Sequence, residues 1–331
     1  MKQVKAFGPQ DLRIIESGLP EVGEEEVLVD VHACGICGSD KWFWHVDSPN
    51  DYVAGHEVAG KVIAVGPGVK HLSVGDRVAV NNVKGCGKCE SCRKGQFVRC
   101  TEPLIHMGYG FSEKVSVPER NCLKLKPEIS YLEGSLIFDN WGTPYSAIKR
   151  TSMKQNDIVL VTGCGPIGLA AVALSNLRGA HVIAVDPIPE RRVAALKQGA
   201  DLVLEPGPEA ADRMIEYAGG TNIDIVLECS GKPSSYELGL KVVRVAGAIV
   251  SIGEGAQYPF KSSDIIHKHV SIIGSLYSTM EDGAELQDLM INGNIDPTAF
   301  VTHTMQLEDL PSSFGEVIDF REGLLKAIVV R

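Results

Sequence analysis

Cys37 and His56 place a thiol and an imidazole nineteen residues apart in CGICGSDKWFWHVDSPNDYVAGHE, the stretch from Cys34 to Glu57. A soft thiolate and an imidazole are a pair that suits Zn²⁺. Ser39 lies two residues beyond Cys37, within reach of a group bound to the same metal. Asp40 and Glu57 adjoin the two and can orient an imidazole from behind. Alone, a cysteine and a histidine are more often a buried thiol and a hydrogen-bonded core residue. The rest of the chain decides between these readings.

A second set of thiols follows in KGCGKCESCRKGQFVRCT. Cys86, Cys89, Cys92 and Cys100 have the spacing C-x2-C-x2-C-x7-C. Four thiolates on one loop close a tetrahedral Zn²⁺ site with no open position, and a closed site is structural. The chain has nine cysteines, an odd count that favours metal chemistry over a disulfide framework in a chain without a secretory signal. A nucleic-acid-binding zinc ribbon has similar spacing, but the surroundings are acidic.

A third feature is GCGPIG. Gly163, Gly165 and Gly168 satisfy G-x-G-x-x-G directly after an apolar strand and at the start of a helix, the context that a dinucleotide-binding loop requires. Gly163 allows the tight turn, Gly165 lets the backbone approach a pyrophosphate, and Gly168 lets helix and strand pack closely. The pyrophosphate would rest on the helix N-terminus beside Pro166 and Ile167. Asp186 ends the next strand eighteen residues after Gly168, where a carboxylate accepts the ribose hydroxyls of NAD and repels a 2′-phosphate. Arg191 and Arg192 stand close by and could accommodate that phosphate.

These residues need elements to position them. Residues 1–33 and 58–80 alternate apolar and polar in short runs broken by Gly and Pro, the pattern of antiparallel strands in a β-rich, barrel-like domain. Residues 108–126 return to strand character, and the chain reads as helical from after Pro127 to about 150, with Asp139 at its centre. From residue 157 apolar strands alternate with helices, which predicts a doubly wound parallel sheet in an α/β fold. The final run KAIVV reads as a strand that rejoins the β-rich domain.

At 331 residues two domains are expected. The net charge of −10, from 42 acidic and 32 basic residues, argues against nucleic acid or an anionic membrane as partner. The sequence shows no signal-peptide pattern and no apolar run long enough to span a bilayer, so a cytoplasmic location is expected.

CGICGSD and GHE, then the four-cysteine loop, then GCGPIG, in this order, resemble the zinc-dependent medium-chain dehydrogenase/reductase family, nearest its polyol, sugar-alcohol and threonine dehydrogenase branch. The resemblance spans essentially the whole chain to KAIVV. It implies a GroES-like β-rich catalytic domain, residues 1–142 with 277–331, and an NAD-binding Rossmann domain, 143–276. It implies two Zn²⁺ per chain, one catalytic and one structural, with NAD as cofactor. The third protein ligand of the catalytic zinc falls at Asp139, four residues before the nicotinamide-contacting Thr143. The family often has a cysteine or glutamate there, so the shorter aspartate is a departure, and Glu57 is an alternative or exchanging ligand. The proton-relay histidine found in many members is replaced by Trp42, and His45 is a possible substitute. Trp42, Phe43 and Trp44 would either pack internally, contact a subunit or form a pocket wall.

The resemblance implies oxidation of a secondary hydroxyl of a polyol, sugar or cyclitol. Ser39 would pass the proton, and the nicotinamide would lie near Thr143, Ile252, Gly253, Ser275 and Leu276. The rival substrates are a simple alcohol, threonine or an aminocyclitol. A rival of another class is a non-catalytic, zinc-stabilised NAD-binding protein. A small-molecule substrate and a homodimer or homotetramer complete the expected partners, with an edge strand near 270–276 as the contact.

Overall fold

The computed structural model describes residues 1–49, 52–255, 257–258, 261–319 and 323–331. Asn50 and Asp51 of the Cys34–Glu57 stretch lie outside the described residues. The chain divides into two compact units, Met1–Gly142 with Tyr277–Arg331, and Thr143–Leu276.

The first unit is built on a seven-stranded sheet. Its strands run in the order Val301–Gln306, Lys326–Val330, Glu26–Gly35, Glu57–Val65, Arg77–Val80 and Cys122–Lys124, while Lys114–Pro118 also pairs with Glu26–Gly35. Alternating apolar residues on these strands face one core that includes Val27, Val29, Val58, Val78, Val115, Phe43, Phe111 and Phe314. The register matters for chemistry. Gly35 pairs with Glu57, and Ile328 pairs with Gly35. Three segments distant in sequence therefore meet at one end of the sheet, with Cys37 just past one strand, His56 just before another and Lys326 opening the third. Gly35 makes room for this meeting, since a Cβ there would stand 2.1 Å from Oε2 of Glu57.

Beyond Tyr131–Ser135 the expected helix differs from a regular one. Ile137–Trp141 is a π-turn, with Trp141 N donating to Leu136 O at 3.0 Å, five residues back. Such turns push one residue out of the regular spacing and recur at functional sites. Ser278 Oγ donates to Phe138 O at 2.6 Å, and the Trp141 ring stacks on Phe300 at 5.6 Å, which anchors the turn. The consequence is that Asp139, an acid in an apolar run, is buried.

The second unit is a six-stranded parallel sheet in the order Leu202–Leu204, His181–Val185, Ile158–Thr162, Ile223–Glu228, Val243–Ser251 and Ser271–Gly274. The central strands are continuous apolar runs because helices such as Pro166–Leu177 and Pro233–Val242 cover them. The chain steps outward from Ile158–Thr162 in one direction and later returns to pair on its other side. That reversal makes a switch point at the carboxyl end of Ile158–Thr162, immediately before Gly163. No helix among the described residues is long and apolar enough to cross a membrane.

Candidate active site

Cys37, His56, Glu57 and Asp139 form one cluster, each offering a ligand atom within 4.8 Å of the others. His56 Nε2 lies 2.9 Å from Asp139 Oδ2, and its Nδ1 lies 3.4 Å from Asp40 Oδ1. The other oxygen of Asp40 accepts a hydrogen bond from Cys37 N at 2.9 Å. Asp40 thus faces the imidazole and ties it to the loop that carries the thiol. Burial alone would lower the His56 pKa, but the carboxylates of Asp40 and Asp139 outweigh it and hold the pKa well above the ordinary value. Burial raises the Cys37 thiol, and Asp139 adds to the rise.

Glu57, in the same cluster, has a further partner. Its Oε1 accepts a 2.6 Å hydrogen bond from Lys326 Nζ, which also donates to Ile36 O at 2.9 Å. Both side chains are 1% exposed. Burial would lower the Lys326 pKa, but Glu57 reverses it and the lysine stays charged. Oε2 of Glu57 is buried without a hydrogen bond. Lys326 had no signal in the sequence beyond a charged residue opening an otherwise apolar strand.

This donor set fits zinc. A tetrahedral centre with bonds near 2.0–2.1 Å to N and O places its ligand atoms roughly 3.3 Å apart, and His56 and Asp139 are within a few tenths of that. The set is one sulfur, one nitrogen and carboxylate oxygen, with one carboxylate oxygen already lacking a partner.

The remaining residues of the stretch separate. Ser39 is exposed on the turn Gly38–Asp40. His45 is exposed at the end of the short helix Lys41–Trp44 and is not brought into the cluster. The aromatic run does not form a single wall, because consecutive helical residues point about 100° apart. Phe43 is in the core edge-on to Phe314, Trp44 also packs on Phe314, and only Trp42 stays out, 47% exposed and tilted against Tyr52.

The four-cysteine loop closes on itself. Cys86, Cys89, Cys92 and Cys100 offer sulfurs within 4.8 Å of one another, and all nine cysteines of the chain are free thiols. The Cys86 and Cys92 sulfurs are 3.9 Å apart, against about 3.8 Å for a tetrahedral site with Zn–S bonds near 2.3 Å. Backbone N–H groups turn toward the sulfurs: Cys89 N toward Cys86, Cys92 N toward Cys89, and Cys86 N and Glu102 N toward Cys100, all at 3.3–3.4 Å. Such donors favour thiolates, and they lower Cys89 to about 6.

In the second unit the glycine loop has the three distinct environments its motif requires. Gly163 has φ +82° and turns the chain against Ser230. A Cβ on Gly168 would lie 1.8 Å from Gly163 O, so only glycine fits there. A Cβ on Gly165 would meet nothing within 4 Å, and Gly165 precedes the helix that Pro166 and Ile167 open. The protein itself does not require glycine at 165, while a dinucleotide pyrophosphate does. We predict that Gly165→Val keeps its thermal stability within about 0.5 kcal/mol of wild type and weakens NADH binding roughly tenfold or more. Gly168→Val should instead cost about 1–3 kcal/mol through overpacking. Thermal melts and fluorescence titration with NADH check both.

Asp186 is buried, and its two carboxylate oxygens accept from Cys164 N at 2.7 Å and Ile188 N at 2.8 Å. A carboxylate accepts about four hydrogen bonds, so ribose hydroxyls can still be taken. Arg191 stands 3.7 Å from that carboxylate, and Arg192 donates to Asp186 O and Pro187 O. Ile252 and Gly253 follow one strand end, with both amides on Glu228 O, and Ser275 and Leu276 follow the next. Thr143 is buried on Gly142–Lys149. Buried Glu228, which the sequence did not mark, accepts from Ser230 N and Gly231 N and shapes the loop facing Gly163.

Two family models match the chain: the alcohol dehydrogenase GroES-like domain over residues 23–127, and the zinc-binding dehydrogenase domain over residues 166–292. L-threonine 3-dehydrogenase of Pyrococcus abyssi is 33% identical, covering 92% of this chain and 90% of its own. Sorbitol dehydrogenase of Bacillus subtilis is 28% identical over 99% and 97%. The solved structure of an alcohol dehydrogenase from Thermus sp. ATN1 superimposes with a TM-score of 0.90 at 29% identity, covering 100% of this chain and 99% of that one. With these matches over the GroES-like and dinucleotide-binding folds, the chain belongs to the zinc-dependent medium-chain dehydrogenases and is an NAD-dependent zinc alcohol dehydrogenase.

Proposed function

We propose that the protein oxidises a secondary hydroxyl of a polyol, sugar or cyclitol, transferring the hydride to NAD. The observation that carries this reading is the polar character of the cluster. A thiol, an imidazole and two carboxylates are gathered beside a buried, charged lysine. The likeness to sorbitol dehydrogenase supports it.

In this reading Cys37, His56 and Asp139 hold the catalytic zinc, and Lys326 holds Glu57 in reserve beside it. Zinc held there supplies Lewis-acid polarisation of the substrate hydroxyl and lowers its pKa. Asp40 fixes the imidazole, so its Nε2 keeps facing the metal. Ser39, exposed two residues from the thiol, carries the proton outward, a task that its hydroxyl performs as both donor and acceptor. The glycine loop and Asp186 bind NAD, and Cys86, Cys89, Cys92 and Cys100 hold the structural zinc. The partner is then a small molecule. The edge strand Ser271–Gly274, with Ile272 exposed, is where a second copy would pair in a homo-oligomer.

A screen of polyols, sugars and cyclitols beside simple alcohols and threonine, read by NADH absorbance, tests the reading. The largest kcat/KM should fall on a compound with several hydroxyls. A larger value for threonine or a simple alcohol would move the chain to that branch.

A further inference from the structure

Two consecutive asparagines between Arg77–Val80 and Val83–Lys84 behave in opposite ways. Asn81 is satisfied: Nδ2 donates to Ser278 O at 2.9 Å, and Oδ1 accepts from Val83 N at 3.1 Å. Asn82 is just as buried, at 2% exposure, yet neither its Nδ2 nor its Oδ1 makes a normal hydrogen bond, and the Tyr277 phenol is the group its amide interacts with. Leaving a buried amide unpaired is costly, and such groups in folded proteins call for an explanation. The side chain is not adrift, because Asn82 O accepts from Met107 N at 2.7 Å and fixes the backbone.

Asn82 faces Tyr277. The Tyr277 ring stands edge-on to His56 at 6.4 Å and tilted to His106 at 5.6 Å. Its backbone is left-handed, at φ +49°, which a tyrosine adopts only when its surroundings impose it. The imposing contact is the next residue: Ser278 bonds both Asn81 and the turn that carries Asp139. Burial pushes the Tyr277 phenol up, Asp139 adds to the rise, and His56 and the Asn82 amide oppose it. A phenol and an amide with no normal hydrogen bond therefore stand together beside the metal ligands.

We propose that Asn82 and Tyr277 together bind a second hydroxyl of the substrate, so that the site selects diols and polyols over alcohols with one hydroxyl. This rests on the zinc dehydrogenase reading and sharpens its substrate class. An amide offers a donor and an acceptor, and a hydroxyl is both, so one substrate hydroxyl satisfies the two orphaned atoms of Asn82. A substrate lacking that hydroxyl leaves the buried amide unpaired, the situation in which discrimination is largest. An apolar wall would serve a simple alcohol better, and the Asn82 side chain gives the fold no normal hydrogen bond in return for its burial.

The test compares wild type, Asn82→Leu and Tyr277→Phe on the best polyol from the screen and on its analogues that each lack one hydroxyl. In wild type one analogue should lose roughly 10²-fold or more in kcat/KM. In Asn82→Leu the polyol and that analogue should come within about tenfold of each other, and Tyr277→Phe should give a smaller collapse at the same hydroxyl. The Asn82→Leu protein should melt no lower than wild type and keep its zinc. Equal losses on polyol and analogues, or a lowered melting temperature with the preference intact, would make Asn82 a structural residue and overturn the proposal. If wild type oxidises simple alcohols but no polyol, the polyol reading itself fails and takes this inference with it.

Discussion

Replacing Cys37 with serine will remove turnover while leaving NADH binding as it is in wild type. The Cys37 side chain is half-buried, its amide is held by Asp40, and its sulfur shares the cluster with His56 and Asp139. A serine hydroxyl is shorter and harder, and it does not ionise at neutral pH, so the site loses its soft ligand. The loss should be roughly 10³-fold or more in kcat, corresponding to several kcal/mol of Lewis-acid stabilisation. NADH binding should persist because Gly163, Gly165, Gly168 and Asp186 all belong to the other compact unit. Steady-state kinetics paired with fluorescence titration separates the two effects. A Cys37→Ser protein with normal turnover would mean that the cluster is not the catalytic centre.

The second large effect concerns Lys326, in the strand that closes the sheet at the site. Lys326→Met should destabilise the first unit by about 3–5 kcal/mol, the usual result of stranding one partner of a buried ion pair. The lysine and Glu57 are both sealed from solvent, 2.6 Å apart, and Glu57 already has one oxygen without a partner. Removing the ammonium leaves an uncompensated carboxylate in the interior. The Lys326→Met, Glu57→Gln double variant should recover much of the loss, since a neutral amide does not need the charge. Chemical denaturation of wild type and the two variants checks this. Equal destabilisation in the single and double variants would place the cost in packing rather than charge.

The sequence revealed most where local chemistry restricts the residue types. Cys37, His56 and the four-cysteine loop stood out because few side chains bind zinc, and their spacing reflects short loops. The glycines of the cofactor loop were legible for a similar reason: at Gly168 any Cβ would collide with the backbone. The doubly wound sheet was legible because covered parallel strands are continuous apolar runs. Lys326 was not legible, since it meets Glu57 from 269 residues away through strand register. The π-turn at Ile137–Trp141 was equally silent, because the bond that makes it depends on Ser278 and Phe300 from the far end of the chain. Asn81 and Asn82 are identical letters with opposite circumstances, and only their neighbours tell them apart. For the WFW run the sequence left packing and a pocket wall as alternatives, and one helical turn divides them, with Phe43 and Trp44 packed on Phe314 and Trp42 exposed.

The most direct test counts zinc per chain by elemental mass spectrometry in the wild-type protein and in Cys37→Ser. Two zinc ions in wild type and one in the variant are predicted, with the remaining ion on Cys86, Cys89, Cys92 and Cys100. One ion in wild type, or two in the variant, would contradict the catalytic metal site at Cys37, His56 and Asp139.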